Sequence, residues 1–224
     1  MSLLKKVLAL LALSAVISGC ASTPSAPSSR LNAFHETRPY SILVVPPNNT
    51  ATDVQATTFV LATLPYFLAE KGFYIFPVNT VKTLLEYEGY YEPAEVHAAP
   101  TETLAELFKA DAVLYVTIHE WTSKYLVINT VTEVDFEYKL LAADGSLVWK
   151  ERLMMQHSPN NNSNNLAGLL VNAVSSAVER AKPNYLPITK SLHAQAFGSS
   201  RGIPNGPYHP SYNDYYERVD LLLE

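Results

Sequence analysis

The sequence holds a single cysteine among its 224 residues, Cys20, so no internal disulfide can form and no thiolate cluster can hold a metal. Whatever stability the fold has must come from packing. Basic residues are scarce as well: 16 Lys and Arg stand against 21 Asp and Glu, a net charge of -5. No basic stripe alternates with aromatics, which excludes nucleic acid as a partner. There is no Gly-x-Ser-x-Gly, no phosphate loop, no His-Glu-x-x-His and no histidine pair at metal spacing. A non-enzyme is therefore expected, with no catalytic residue, no metal ligand and no cofactor. His119 and Glu120 are the one adjacent base and acid, and strand alternation would send them to opposite faces. His35, His97, His157, His193 and His209 fall in stretches read as loops or tail, where surface placement is the default. Apolar runs are short too, none reaching the roughly 20 residues a membrane-spanning helix needs.

What is present begins with Lys5 and Lys6 ahead of an apolar stretch, residues 7–17, and then the lipobox Ile17-Ser18-Gly19-Cys20. A positive start, an apolar middle and small residues at the cut mark a secretory signal over residues 1–19. Cys20 is then the lipidation site, a thioether anchor for diacylglycerol at the start of the mature chain. An ordinary signal with a chance cysteine is the alternative. Two or more acyl chains hold a protein stably to a membrane, one only weakly. Ala21 follows the cysteine where Asp would signal inner-membrane retention, which among bacterial lipoproteins implies the outer membrane, facing the periplasm or the cell surface. Losing Lys5 and Lys6 leaves 14 basic against 21 acidic residues.

Residues 20–38 are small, polar and proline-bearing and read as a tether. Residues 40–45 are a continuous apolar run ended by Pro46 and Pro47, the pattern of a strand buried on both faces. A helix over residues 53–71 containing Pro65, a short strand at 73–77 and a helix at 78–87 make a parallel crossover unit. A further helix spans 102–108 behind Thr101. From residue 112 the pattern turns to long antiparallel strands, with Leu114, Val116 and Ile118 on one face and Tyr115, Thr117, His119 and Trp121 on the other. Residues 131–142 put Val134, Phe136, Tyr138 and Leu140 inside. Asp144-Gly145 is a two-residue hairpin turn, so partners across it must sum to 289, pairing Leu140 with Trp149 and Glu137 with Arg152. After an asparagine-rich loop at 160–165, residues 166–178 form an amphipathic helix. The expected fold class is α/β (α+β): one mixed sheet, parallel in its first half and with three antiparallel strands in its second, covered by helices. It occupies residues 39–182 and leaves 183–224 as a Pro- and Tyr-rich tail without periodicity.

Three pieces carry a family resemblance: Val44-Val45-Pro46-Pro47-Asn48-Asn49, Ala110-Asp111-Ala112-Val113-Leu114 and Asp144-Gly145-Ser146-Leu147-Val148-Trp149. Over about residues 40–182 the layout resembles the N-terminal domain of the translocation protein TolB and the periplasmic core of the curli secretion lipoprotein CsgG. The whole chain looks like a family of Gram-negative lipoproteins, domain of unknown function 799, often encoded beside a CsgG-like protein. That resemblance implies envelope assembly, secretion or transport, with envelope proteins, a CsgG-like lipoprotein among them, as partners.

The loop Pro46, Pro47, Asn48, Asn49 and Thr50 is the candidate interaction loop, because open α/β sheets bind ligands beyond the carboxyl ends of central strands. Its bland reading is strand termination and capping. Tyr208, Tyr212, Tyr215 and Tyr216 are the candidate self-association residues of a homodimer with exchanged tails. The expected function is a non-enzymatic, membrane-anchored interaction module. The alternative is a small-ligand or glycan-binding lipoprotein using the 46–50 rim and Tyr90 and Tyr91. If the cysteine is the anchor, Cys20→Ser should move the protein from the membrane pellet to the soluble fraction of lysed cells. Persistence in the pellet after a high-salt wash would mean that another segment holds it.

Overall fold

The structure, a computed structural model, describes residues 29–126, 129–157 and 185–223. Residues 1–19, Cys20, the 160–165 loop and the expected helix at 166–178 lie outside these. The packed chain starts earlier than residue 39. In α1 (Asn32–Thr37) and the turn before it, Leu31 and Phe34 are buried, and the Phe34 ring meets Phe73 edge-on at 6.1 Å. These residues belong to the core and not to a tether.

All four residues of β1 (Ser41–Val44) are buried, and a strand apolar on both faces needs neighbours on both edges and layers on both sides. Past its end, β2 (Asn48–Asn49) continues alongside the next strand. The chain then forms α2 (Ala56–Glu70) and the short β3 (Tyr74–Ile75), which pairs parallel with β1. Helices α3 (Val78–Tyr87), α4 (Pro93–Ala98) and α5 (Thr101–Phe108) lead to β4 (Ala112–Leu126), parallel to the other edge of β1. Asp111 fixes that junction: its carboxylate accepts the Tyr40 and Ser41 N–H groups and the Ser41 hydroxyl at 3.0, 2.8 and 2.8 Å. Strands β5 (Asn129–Ala142) and β6 (Leu147–His157) add antiparallel, giving the order β3-β1-β4-β5-β6 with β2 on β4. This is the single mixed sheet the sequence implies.

Pairing across the Asp144-Gly145 turn follows the expected register, Leu140 with Trp149, Phe136 with Leu153 and Glu137 with Arg152, up to a bulge beyond Leu140. The ion pairs on the outer face run diagonally instead: Lys150 meets Glu137 at 2.9 Å and Arg152 meets Asp135 at 2.7 Å. One face assignment changes. A register slip between Ile118 and Glu120 makes His119 the extra residue of a bulge, so Trp121 pairs with Val134 and enters the core, fully buried. By the same shift His119 and Glu120 share the outer face rather than facing apart.

The stretch read as a tail is helical. In α6 (Leu186–Gly198), Ile188, Leu192 and Ala196 pack with α2 residues Val60, Leu64 and Leu68 against one face of the sheet. Their spacing is helical, but the neighbouring buried row is Thr189 and His193, which masks the stripe. The segment after α6 is sewn to the α2–β3 turn: Gly206 N–H donates to the Lys71 carbonyl at 2.7 Å and Tyr208 N–H to that of Gly72 at 3.0 Å. A Cβ on Gly206 would lie 2.5 Å from the Gly72 oxygen, so only glycine allows this approach. Last comes α7 (Tyr212–Leu223). On the opposite face of the sheet, α3, α4 and α5 bury Leu43, Val45, Val113 and Leu141 through Val81, Leu85, Val96 and Leu104.

Two polar groups are buried with care. Glu151, on edge strand β6, is 3% exposed and held between Arg30 at 2.8 Å and Arg201 at 2.6 Å. His193 is fully buried, with Nδ1 2.7 Å from the Tyr138 hydroxyl, which overturns its expected surface placement. Burial pushes its pKa down to about 3.

Trp149, 2% exposed and hydrogen-bonded through Nε1 to the Arg201 carbonyl, should lose about 3 to 5 kcal/mol as Trp149→Ala, whereas Lys150→Ala should cost under about 1 kcal/mol; chemical denaturation of both would show equal losses if the faces were reversed. His193 takes up its proton mainly on unfolding, because its folded pKa lies below its unfolded value. Its contribution to stability is therefore complete above about pH 6.5 and drains away as pH falls toward 3, by about 2 kcal/mol at pH 5. Denaturation at pH 7.5 and 5 should show that loss in the native chain and a shallower one in His193→Leu/Tyr138→Phe.

Candidate functional site

Among the described residues, the sheet has one topological switch point. From β1 the chain crosses by α2 on one face to β3 on one side, and returns by α3, α4 and α5 on the other face to β4 on the other side. Connections that diverge to opposite faces leave a crevice beyond the carboxyl end of the strand between them. Here it is a cavity of about 290 Å³. Val44 and Pro46 come from the end of β1, Thr57 and Leu61 from α2, Val81 and Leu85 from α3, and Val96 from α4. Its floor is hydrocarbon because these are the same periodic positions that pack the helices. Its rim is polar and aromatic: Lys82 and Glu86, 3.7 Å apart, stand beside Tyr90, Tyr91 and Glu92.

Gly89, with φ of +92°, turns the chain out of α3 and delivers the two tyrosines to that rim. Tyr91 is 72% exposed, and Tyr87, the last residue of α3, is 85% exposed. Pro46 is fixed from the far side by His97 of α4, whose Nε2 donates to the Pro46 carbonyl at 3.0 Å. Burial lowers the His97 pKa, the bond to Pro46 opposes this and nearby Lys139 adds to it. The imidazole is thus neutral at pH 7, with its proton on Nε2, since a carbonyl can only accept.

Of the expected loop, only Pro46 lines the crevice. Pro47 is buried, Asn48 and Asn49 form β2 against Thr117 and Ile118, and Thr50 donates both its N–H and its hydroxyl to the Ile118 carbonyl. Asn49 spends its amide on Asp53 and Ala51. Asn48 and Asn49 thus extend the sheet, and Thr50 is fastened to it. Tyr90 and Tyr91 do converge with Pro46. The crevice walls Leu61, Val81, Leu85 and Val96 were not singled out from sequence, because a periodic apolar position looks the same whether it faces core or cleft.

The tail tyrosines mostly serve their own chain. Tyr215 bonds its hydroxyl to His35 Nε2 at 2.8 Å, Tyr216 is 3% exposed beneath the Arg38 guanidinium at 4.2 Å, and Tyr212 packs on Tyr216 with ring centroids 4.6 Å apart. Arg38 also pairs with Asp220. Together they dock α7 on α1, and only Tyr208, 69% exposed, remains turned outward. His35 is buried here, which corrects its expected surface placement. Among the described residues no group of three His, Cys, Asp or Glu is placed to hold a metal, and no helix is long and apolar enough to cross a membrane.

With this geometry in hand, the chain can be set beside known proteins. The family described as "Putative lipoprotein GNA1162-like" matches residues 30–200. A lipoprotein of Neisseria meningitidis serogroup B is 34% identical over 186 residues, spanning 81% of this chain and 86% of the relative. The crystal structure of lipoprotein GNA1162 from Neisseria meningitidis superposes with a TM-score of 0.53 at 35% identity, covering 62% of this chain and 98% of that one. A more distant likeness, to the PelC dodecamer from Paraburkholderia phytofirmans, has a TM-score of 0.39 at 17% identity over 64% of this chain and 86% of that one.

Proposed function

We propose that this chain, which belongs to the GNA1162-like lipoprotein family, is a non-enzymatic component of the cell envelope, anchored to the outer membrane through Cys20 and working by binding an envelope protein in the crevice beyond β1. The observation that carries this reading is the composition of that crevice. Hydrocarbon from β1, α2, α3 and α4 lines its floor and tyrosines flank its mouth, which suits an apolar side chain presented by a partner. Its volume, about 290 Å³, sits at the low end for small-molecule sites, which run from about 300 to 1,000 Å³, and is large enough for one or two apolar side chains. Tyrosine is also among the residues that most often carry the binding energy of protein interfaces.

A second reading, a glycan or other small ligand, draws on the exposed Tyr87 and Tyr91, whose flat rings could stack on a sugar. TolB-like or CsgG-associated transport remains a more specific form of the first reading. One experiment separates them. A photo-activated phenylalanine analogue at Tyr91 in intact cells should capture a defined envelope protein, and the adduct should fall when Leu61→Trp fills the crevice. Capture of peptidoglycan or lipid alone would favour the second reading, and a protein adduct indifferent to Leu61→Trp would remove the crevice from the first.

A further inference from the structure

Beyond α4 lies a second cavity of about 300 Å³ and of different chemistry. His97 comes from α4, Thr101 from α5, Tyr115 and Thr117 from β4, and Glu137 and Lys139 from β5. Polar side chains thus converge from four elements onto one space. The Tyr115 ring is 7% exposed and its hydroxyl lies 3.0 Å from Thr101 Oγ1. Burial raises the Tyr115 pKa, so the phenol stays protonated and can donate.

The cavity is lined by one carboxylate, Glu137, and one ammonium, Lys139. Lys139 lies directly across the β5–β6 ladder from Lys150, and like charges so placed destabilise a sheet. Glu137 takes Lys150 at 2.9 Å, and this bond holds its carboxyl below the usual carboxylate range. Lys139 is left exposed with no carboxylate in ion-pairing reach among the described residues. Among the described residues, Lys139 is thus the cation at this cavity that is free to meet an outside anion. His97 completes the inventory. Its Nε2 is committed to Pro46, so the neutral ring leaves Nδ1 as an acceptor.

We propose that this cavity binds a small carboxylate, its negative charge taken by Lys139 and the Tyr115 hydroxyl and an adjacent N–H or O–H accepted by His97 Nδ1. A peptide carboxyl terminus and a sugar acid both offer that pairing of anion and neighbouring donor. The site is separate from the crevice, so its failure would leave the binding reading above standing, and the reverse also holds.

The test is titration of the full-length protein in detergent with alanyl-alanine, its carboxyl-terminal amide and glucuronate, read by calorimetry and ligand-observed NMR. Binding of alanyl-alanine but not of the amide supports the site and assigns a peptide source; binding of glucuronate alone supports it with a sugar source. A hydrogen bond to a charged group is worth enough that Lys139→Gln should weaken either by about tenfold or more. Tyr115→Phe should weaken it too. Because Lys139 is exposed and lies opposite Lys150, its variant should melt no lower than the native chain, which separates a lost contact from a lost fold. No binding by either carboxylate, or affinities unchanged in Lys139→Gln, would overturn the assignment.

Discussion

Burial of β1 on both faces is the requirement around which the rest of the chain is arranged. Four residues, Ser41–Val44, cannot supply their own cover, and each large apolar side chain removed from water there contributes about 1.5 to 3 kcal/mol. Ile42 and Val44 face α2 and α6, while Leu43 faces α3, α4 and α5. Two layers of helices must therefore be drawn from one continuous chain, and the connections have to divide between the faces. The crevice follows directly from that division. Where the layers part beyond Val44, no described side chain fills the gap between α2 and α3.

The far half of the sheet solves a different problem. Beyond Val113, Tyr115 and Leu141, which α3, α4 and α5 cover, strands β4, β5 and β6 are apolar on one face, and the charged ladder of Asp135, Glu137, Lys150 and Arg152 lies on the other. Edge strand β6 is secured by the chain's own ends. Arg30, just before α1, and Arg201, just after α6, both reach Glu151, and Arg30 also donates to the Lys150 carbonyl. A buried carboxylate left unpaired would be costly, so the two arginines hold the segments before α1 and after α6 where they lie. The same logic explains α7. Through His35, Arg38 and Asp220 it is fastened to α1, which is itself packed under the edge of the sheet.

How much of this could be read from the sequence depended on whether the information was local. The β5–β6 register was legible because Asp144-Gly145 fixes it arithmetically and every apolar pair then falls on one face. The bulge at His119 was not, since no glycine or proline marks it and only pairing with Glu120 and Trp121 reveals the slip. Helix α6 was missed because its second buried row holds Thr189 and His193. His193 is tolerable in a core only because Tyr138, 55 residues away, meets its ring, and long-range compensation of this kind leaves no trace in a local pattern. The site was half legible. Position at the end of β1 pointed to the right place, yet the asparagines that drew notice turned out to continue the sheet.

Helix α4 explains why the two cavities on this side of the molecule differ in character. Successive residues on a helix project about 100° apart, so Val96 turns into the crevice while His97 turns into the neighbouring cavity. His97 then reaches back to the Pro46 carbonyl and ties the helix to the end of β1. That single bond satisfies a carbonyl freed when Pro46 and Pro47 end the strand. It also fixes the wall between an apolar space and a polar one. Without it, α4 would be held to the sheet chiefly by Val96 and by the edge-on contact of the His97 ring with Tyr115 at 5.2 Å, and a six-residue helix is far too short to be stable on its own.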